Sequence, residues 1–180
     1  ARFAECLLNL INPKKDVALK MATELIDKFD KIYEKKWFDM MKNKLGLIGD
    51  HKENNVLIFE LLEIMKKQEL DYTNTFLFLM DQEIDDKKNY QNEKFDNWKV
   101  KWQKRVTKDS KKLMKLNNPL IIPRNHNVEN VLKSAGNNNL KPFNDLLKAL
   151  KNPYVNQKIF TKYQSPPAKT DEKYQTFCGT

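Results

Sequence analysis

The amino-acid sequence predicts an all-α protein, and three observations support that prediction. Apolar residues recur at intervals of three and four along most of the chain, which is the period of one face of an α-helix. Only 4 glycines and 7 prolines occur in 180 residues, too few for the frequent tight turns of an all-β protein. Hydrophobic residues make up 40% of the sequence and aromatic residues 11%, so the chain has enough apolar side chains to bury a core.

The N-terminal stretch predicts two helices and a glycine cap. The opening ARFAECLLNLI already holds apolar residues in helical phase without a cap before it, so we expect a chain cut from a longer one. After Asn12 and Pro13, a second apolar stripe begins at Val17 and predicts one long amphipathic helix that continues to Met41. Gly46 then suits the left-handed position at which many helices end.

The next segment predicts a central helix followed by a capped one. Residues 53–67 carry an apolar face that is too broad for a lone surface helix, which indicates a helix in the core. Asp71 is placed to accept a backbone hydrogen bond at the start of a short helix that runs from Tyr72 to Met80.

A polar segment at about residues 81–92 offers little to bury, so we expect a mobile loop or an insertion. Its acidic residues make only a weak calcium motif, because calcium loops need a turn glycine that this run lacks. These residues are Asp81, Glu83, Asp85 and Asp86. Beyond the loop, Trp98 and Trp102 lie one helical turn apart. We interpret both as core residues in preference to a surface that stacks nucleic-acid bases.

A helical hairpin is predicted at residues 117–154, where two short apolar stripes flank a turn. Asn125 or Asn127 suits the N-cap of the first helix, and Pro142 suits the first turn of the second.

The predicted domain organisation therefore has three parts. Residues 1–116 form a helical bundle with the polar loop in it, and residues 117–154 form the hairpin packed on that bundle. Residues 155–180 contain the prolines and polar residues of an extended C-terminal tail.

The charge distribution leaves a binding function open. The chain has 33 basic and 24 acidic side chains, a net charge of +9, which suits a lysine-rich helical module that binds nucleic acid. Arginine, which makes the bidentate phosphate and guanine contacts, occurs only at Arg2, Arg105 and Arg124. A solvated lysine surface is therefore the favoured interpretation, and a protein-interaction module is a further alternative. No apolar run reaches the roughly 18 to 20 residues that a membrane span requires.

The sequence contains no nucleotide-binding glycine loop, nucleophile elbow or zinc-protease motif. His51 and His126 stand apart from any nucleophile, and we interpret His126 as a ring held within its own turn. Two cysteines, Cys6 and Cys178, do not make a disulfide framework, which indicates a reducing, intracellular setting. Cys178 lies near the C-terminus, where an accessible thiolate can form a reversible disulfide.

Several motifs, taken in order, resemble the C-terminal part of the selenoprotein O family, also called YdiU. They are ARFAE, KLGL, DYTNTF, NPLIIPRNHNVENVL, LLKALKNPY and YQTFCGT. The segment IPRNH with the following V-E, and the terminal TFCGT, are the specific ones. The resemblance covers essentially the whole chain.

The resemblance implies a protein-kinase-like (pseudokinase) fold for the parent protein. It also implies transfer of AMP from ATP to serine, threonine or tyrosine hydroxyls of proteins, with Mg²⁺ or Mn²⁺. The family's nucleotide- and metal-binding residues lie upstream of the position that matches ARFAE. We therefore expect this chain to be the helical end of the kinase-like lobe with its extension, to hold no catalytic, cofactor or metal residue, and to be inactive alone. Its expected partners are the missing kinase-like region and the parent's protein substrates, and neither a membrane nor nucleic acid is expected.

The resemblance also implies roles for particular residues. Cys178 occupies the position of selenocysteine in some members, and Gln175 stands where many relatives have a second cysteine. A redox partner would then be Cys6 or a cysteine outside this chain. Structural roles are expected for the signature residues Pro123, Arg124, Asn125 and His126. The implied location is the cytoplasm in a bacterium and the mitochondrion in a eukaryote.

Overall fold

The computed structural model describes residues 2–85 and 87–168, and within them the chain forms nine α-helices and two short 3₁₀ helices. The α-helices are α1 (Arg2–Ile11), α2 (Lys15–Asp27), α3 (Phe29–Leu45), α4 (Glu53–Lys67), α5 (Tyr72–Leu79), α6 (Glu93–Gln103), α7 (Ser110–Asn117), α8 (Asn125–Gly136) and α9 (Lys141–Lys151). The 3₁₀ helices are Lys87–Tyr90 and Lys158–Tyr163. No β-strand occurs in this described part, so the predicted all-α class is confirmed for it.

The chain divides into two compact units, and the division falls within α3. We call Ala1–Met41 the N-terminal unit and Lys42–Thr180 the main unit. In the N-terminal unit α1 packs against α2, where Ala18 and Ala22 are buried. The sequence predicts a single bundle over residues 1–116, and that domain organisation stays a prediction.

The long helix predicted from Val17 to Met41 is interrupted. α2 ends at Asp27 and α3 begins at Phe29. Lys28 between them keeps right-handed helical angles, with φ of −85° and ψ of −13°. Because the break involves neither proline nor glycine and the apolar stripe continues across it, the periodicity does not reveal it.

The core of the main unit lies where α4, α5 and α6 meet. Ile58 and Leu61 of α4 are fully buried, as predicted for a central helix. Trp98 and Trp102 are 2% and 5% exposed, and their rings stack with centroids 6.0 Å apart. Their interpretation as core residues is confirmed.

The expectation that residues 81–92 offer little to bury is wrong for the end of that segment. Tyr90, in the 3₁₀ helix, is 2% exposed and stacks on Phe78 with ring centroids 4.6 Å apart. Its hydroxyl lies 3.3 Å from Oγ1 of Thr75. Asn92 then caps α6, because its side chain accepts a hydrogen bond from the N–H of Phe95. An aromatic side chain inside a polar run is what ties this segment to the core.

α8 and α9 pack on each other as the predicted hairpin, and Pro142 lies in the first turn of α9 as expected. The predicted asparagine cap of α8 is wrong. Arg124 occupies the N-cap position without a capping side chain, and Asn125 is already helical. The side chain of Asn127 instead donates to the carbonyl of Tyr163, 3.4 Å away.

The sequence predicts an extended tail for residues 155–180, but part of this segment is helical. Lys158–Tyr163 forms a 3₁₀ helix in which Phe160 and Tyr163 are buried. Burial of these two rings stabilises the segment against the rest of the main unit, although most of its other residues are polar. Residues 169–180 lie outside the described part of the chain.

Candidate functional site

The C-terminal end of α3 is held by side chains from elsewhere in the main unit. The last carbonyls of a helix have no partner within it. Here three consecutive carbonyls each accept a hydrogen bond from a distant side chain. The pairs are Asn118 Nδ2 to Lys44 O at 2.8 Å, Trp102 Nε1 to Leu45 O at 2.9 Å, and Ser110 Oγ to Gly46 O at 2.6 Å. The KLGL motif is therefore a point at which α3, α6 and α7 are joined.

Gly46 is required at this junction for two reasons. Its φ of +66° is in the left-handed region, which confirms the predicted glycine cap. A Cβ atom at this position would lie 2.8 Å from Cβ and 2.9 Å from the carbonyl oxygen of Ser110. Another side chain would therefore push α7 away from the end of α3.

Lys44 lies against aromatic rings. Its Nζ atom is 4.5 Å from the ring centroid of Phe76 and 5.5 Å from that of Tyr72, both within range of a cation–π interaction. Nζ also donates to the carbonyl of Asn117 at 3.4 Å. Burial lowers the pKa of Lys44 and raises the pKa of Tyr72, because each charged form loses water.

An arginine clamp links the hairpin to α5, and it joins two of the sequence motifs, IPRNH and DYTNTF. Nη1 and Nη2 of Arg124 donate to the two carboxylate oxygens of Asp71 at 2.7 and 2.8 Å. Nη2 also donates to Oδ1 of Asn74 at 3.2 Å. Two parallel bonds between a guanidinium and a carboxylate fix both distance and orientation. The Arg124 side chain is only 7% exposed, so the pair is largely shielded from water.

Asp71 has a second role at the same place, because it is also the predicted N-cap of α5. Its Oδ1 accepts a hydrogen bond from the N–H of Asn74 at 2.8 Å. Burial alone would raise the pKa of the Asp71 carboxyl. The hydrogen bond and charge of Arg124, with backbone hydrogen bonds from Asn74 and Thr73, outweigh burial and hold that pKa below its usual value of 3.8. The carboxyl therefore stays ionised and paired at neutral pH.

The other signature residues lie around the start of α8. Pro123 and Asn125 are exposed, and His126 is partly buried in the first turn of the helix. Of the four, Arg124 is the one whose side chain is buried. The structural role predicted for Arg124 thus has a definite partner, which sequence periodicity does not reveal.

The remaining candidate residues are spread over the chain. Cys6 is exposed on α1, and Cys178 lies outside the described residues. His51 is exposed just before α4. Asp81 pairs with Nζ of Lys111 at 2.6 Å. Within residues 2–85 and 87–168, no three His, Cys, Asp or Glu side chains lie close enough to hold a metal ion.

An open cleft of about 780 Å³ lies beside the arginine clamp, between the start of α5 and residues 89–94. Gln68 and Asn92 face it and donate to each other through their amides at 2.9 and 3.0 Å. Asp71 also lines the cleft and is already paired with Arg124. These polar groups therefore hold the walls together. Separately, no helix in the described part of the chain has the length and hydropathy needed to cross a membrane.

Comparison with known proteins gives a consistent set of relatives. The profile of a family described as "Protein adenylyltransferase SelO" matches residues 1–151. The chain is 51% identical over 185 residues to the "Protein nucleotidyltransferase YdiU" of Pelagibacter ubique. It is 42% identical over 186 residues to the protein of that name in Clostridium perfringens, and 41% over 187 residues to that in Bacillus cereus. Each alignment covers 99% or 100% of this chain but only 38% of the relative, so the chain spans less than half the length of these curated relatives.

Proposed function

Because the chain belongs to the SelO family of protein adenylyltransferases, we propose that it is the helical C-terminal part of a longer enzyme. That enzyme would transfer AMP from ATP to serine, threonine or tyrosine hydroxyls of other proteins. The match of residues 1–151 to the family profile carries the proposal. The coverage of only 38% of each relative supports its second element, that the chain acts as part of a larger protein.

In this proposal the main unit supports the catalytic region and contributes no reacting group. The arginine clamp between Arg124 and Asp71 fixes the hairpin on α5. The side chains of Trp102, Ser110 and Asn118 fix the end of α3. These hydrogen bonds join separate helices at fixed distances, which makes the main unit a rigid support.

We place ATP and Mg²⁺ or Mn²⁺ in the kinase-like region that precedes this chain. The basis is the family resemblance, which puts the nucleotide- and metal-binding residues there. No step of the transfer is assigned to a residue of this chain.

Cys178 is proposed as a redox residue of the parent protein. Its thiolate would attack a disulfide of the glutathione or thioredoxin type, forming a mixed disulfide and releasing one thiol. A second protein thiol would then attack the Cys178 sulfur, releasing the other thiol and leaving Cys178 in a protein disulfide. The two protein thiols lose two electrons in total, and the attacked disulfide is reduced to two thiols. Mass spectrometry of the oxidised parent protein is expected to find Cys178 in a disulfide, and a persistently free thiol would remove this role.

The test of the main proposal compares two proteins in one assay. The longer protein and the 180-residue chain are each incubated with labelled ATP, Mg²⁺ or Mn²⁺ and a mixture of acceptor proteins. We expect labelled acceptors with the longer protein and none with the 180-residue chain. Strong labelling by the 180-residue chain would contradict the proposal that it is only a support, and no labelling by either would contradict the proposed activity.

A further inference from the structure

The N-terminal unit exposes apolar side chains that a self-contained unit would bury. The exposed fractions are 62% for Leu25, 61% for Phe29 and 54% for Ile32. Among the residues described in this unit, the buried apolar ones are Ala18, Ala22 and Met41. Two alanines and one methionine are a small core for three helices. The unit therefore has enough apolar residues for a core but leaves its large apolar side chains exposed.

These exposed residues form one continuous face. Val17, Met21 and Leu25 recur every four residues along α2, and the series continues into α3 with further apolar residues. We define the apolar face as Val17, Met21, Leu25, Phe29, Ile32 and Tyr33, all of them exposed. The rings of Phe29 and Tyr33 stack with centroids 6.1 Å apart, which adds a flat aromatic surface to it.

The sequence of α2 is that of a buried helix. Ala18 and Ala22 lie on the side where α1 packs, next to the apolar face, so apolar residues occupy two adjoining sides of the helix. The charged residues Asp16, Lys20 and Glu24 take the remaining side and are exposed. A helix with so broad an apolar arc is stable when a second element covers it.

The unit is also too small to be stable with this face uncovered. Residues 1–41 make a unit close to the limit of about 40 residues below which a domain usually needs a disulfide, a metal or a partner to fold. The free, exposed Cys6 is the one cysteine of this unit, and no metal-binding group of three acidic, histidine or cysteine residues occurs in the described chain. A covering partner is the means of stabilisation that remains.

We infer that the apolar face packs against the kinase-like region that precedes this chain in the longer protein, an inference that rests on the proposed function. Most of the length of each relative lies outside the 38% that this chain matches, so a large partner surface is available within one polypeptide. Covalent connection gives that surface a high effective concentration, which a second molecule in solution lacks. α1, α2 and most of α3 then belong structurally to the catalytic region.

A matched pair of cysteine substitutions on α2 tests the inference. Leu25→Cys lies on the apolar face, and Lys20→Cys lies on the charged side of the same helix, in a background with Cys6→Ser and Cys178→Ser. Both positions are exposed in the 180-residue chain, so a maleimide should label both at similar rates. In the longer protein we expect labelling of Leu25→Cys to slow by at least about tenfold, because local opening must precede it. The maleimide-labelling rate of Lys20→Cys should be the same in both proteins. Peptide mass spectrometry distinguishes labelling at the introduced cysteine from labelling at other cysteines of the longer protein.

Equal labelling of Leu25→Cys in the two proteins would overturn the inference, and Ile32→Cys repeats the test at a second position of the face. If Leu25→Cys and Ile32→Cys are instead protected in the 180-residue chain, and this protection rises with protein concentration, the partner is a second copy. That result would also overturn the inference. The readout does not depend on catalysis. A longer protein that protects Leu25→Cys but transfers no AMP would refute the proposed activity and leave the docking inference standing.

Discussion

Both units consist of helices with apolar residues at a helical period, but they bury those residues to very different extents. In the main unit Phe76, Phe95 and Trp98 are almost completely buried, and the end of α3 is capped by side chains. In the N-terminal unit Phe3 and Leu10 are 78% and 83% exposed. An apolar stripe thus specifies a helix and a face, whereas stability depends on whether the chain also supplies the surface that covers that face.

Separating the units should give the largest effect. We expect residues 42–180 to unfold cooperatively in urea, because their core lies within the main unit. A peptide of residues 1–41 should be mostly unfolded by circular dichroism, because short helices without packing are marginal in water. A folded 1–41 peptide at low concentration would show that the contrast between the units is false.

Breaking the arginine clamp is the next largest change. Arg124→Met removes a buried guanidinium from a partly buried carboxylate and should lower the free energy of unfolding by about 3 kcal/mol. The matched control is Lys141→Met, which removes an exposed ion pair to Asp145 and should leave the urea midpoint nearly unchanged. Similar midpoints for both variants would contradict the role given to the clamp.

Three glycines form a graded test of the junction at the end of α3. Gly46→Ala combines a left-handed φ with a steric clash and should cost about 2 to 3 kcal/mol. At Gly49 the φ is also positive, at +81°, but the nearest atom to a new Cβ is 3.5 Å away, on His51. Gly49→Ala should therefore cost only about 1 kcal/mol. Gly136→Ala, within α8 and with no neighbour in the way, should stabilise the protein by about 0.5 kcal/mol. A different rank order in urea unfolding would disprove the close approach of Ser110.

Trp102→Phe tests a single cap. The substitution keeps most of the buried ring but removes the indole N–H that satisfies the Leu45 carbonyl. The expected loss is about 1 to 2 kcal/mol in the free energy of unfolding. An unchanged free energy of unfolding would mean that the carbonyl gains another donor and that this cap is dispensable.

The pH dependence of the clamp should give the smallest effect near neutrality. Because the pKa of Asp71 is lower in the folded chain than its ordinary 3.8, the carboxylate contributes stability at pH values above 3.8. That contribution is lost as the pH falls through the folded-state pKa. The stability difference between the wild type and Asp71→Asn, which keeps the helix cap, should therefore shrink on acidification. A difference that grows at low pH would have the wrong sign for this account.

Local signals in the sequence were sufficient to predict several elements. The range of α4, the capping role of Asp71 and the position of Pro142 follow from apolar spacing and from backbone groups within a few residues. α7 is not apparent from the sequence, because its eight residues are rich in lysine and it buries only Ser110 and Met114. Short helices of this kind form through tertiary contacts, which periodicity does not report.

The candidate site could be predicted only in part. The sequence indicates that Gly46 ends a helix and that Arg124 has a structural role, but their partners are far along the chain. Arg124 and Asp71 are 53 residues apart, and the side chains that cap α3 lie 57 to 74 residues from their carbonyl partners. One sequence does not specify which distant polar groups meet. The expected redox role of Cys178 lies outside the described residues and remains a proposal.

Amide hydrogen exchange of the 180-residue chain, followed by mass spectrometry of its peptides, tests the contrast between the units most directly. Peptides from α4, α5 and α6 should exchange slowly and together, because they open only with the core of the main unit. Peptides from α1 and α2 should exchange much faster, and should become protected in the longer protein. Exchange in α2 of the 180-residue chain as slow as that in α6 would contradict this contrast, because the N-terminal unit would then be stable without a covering partner.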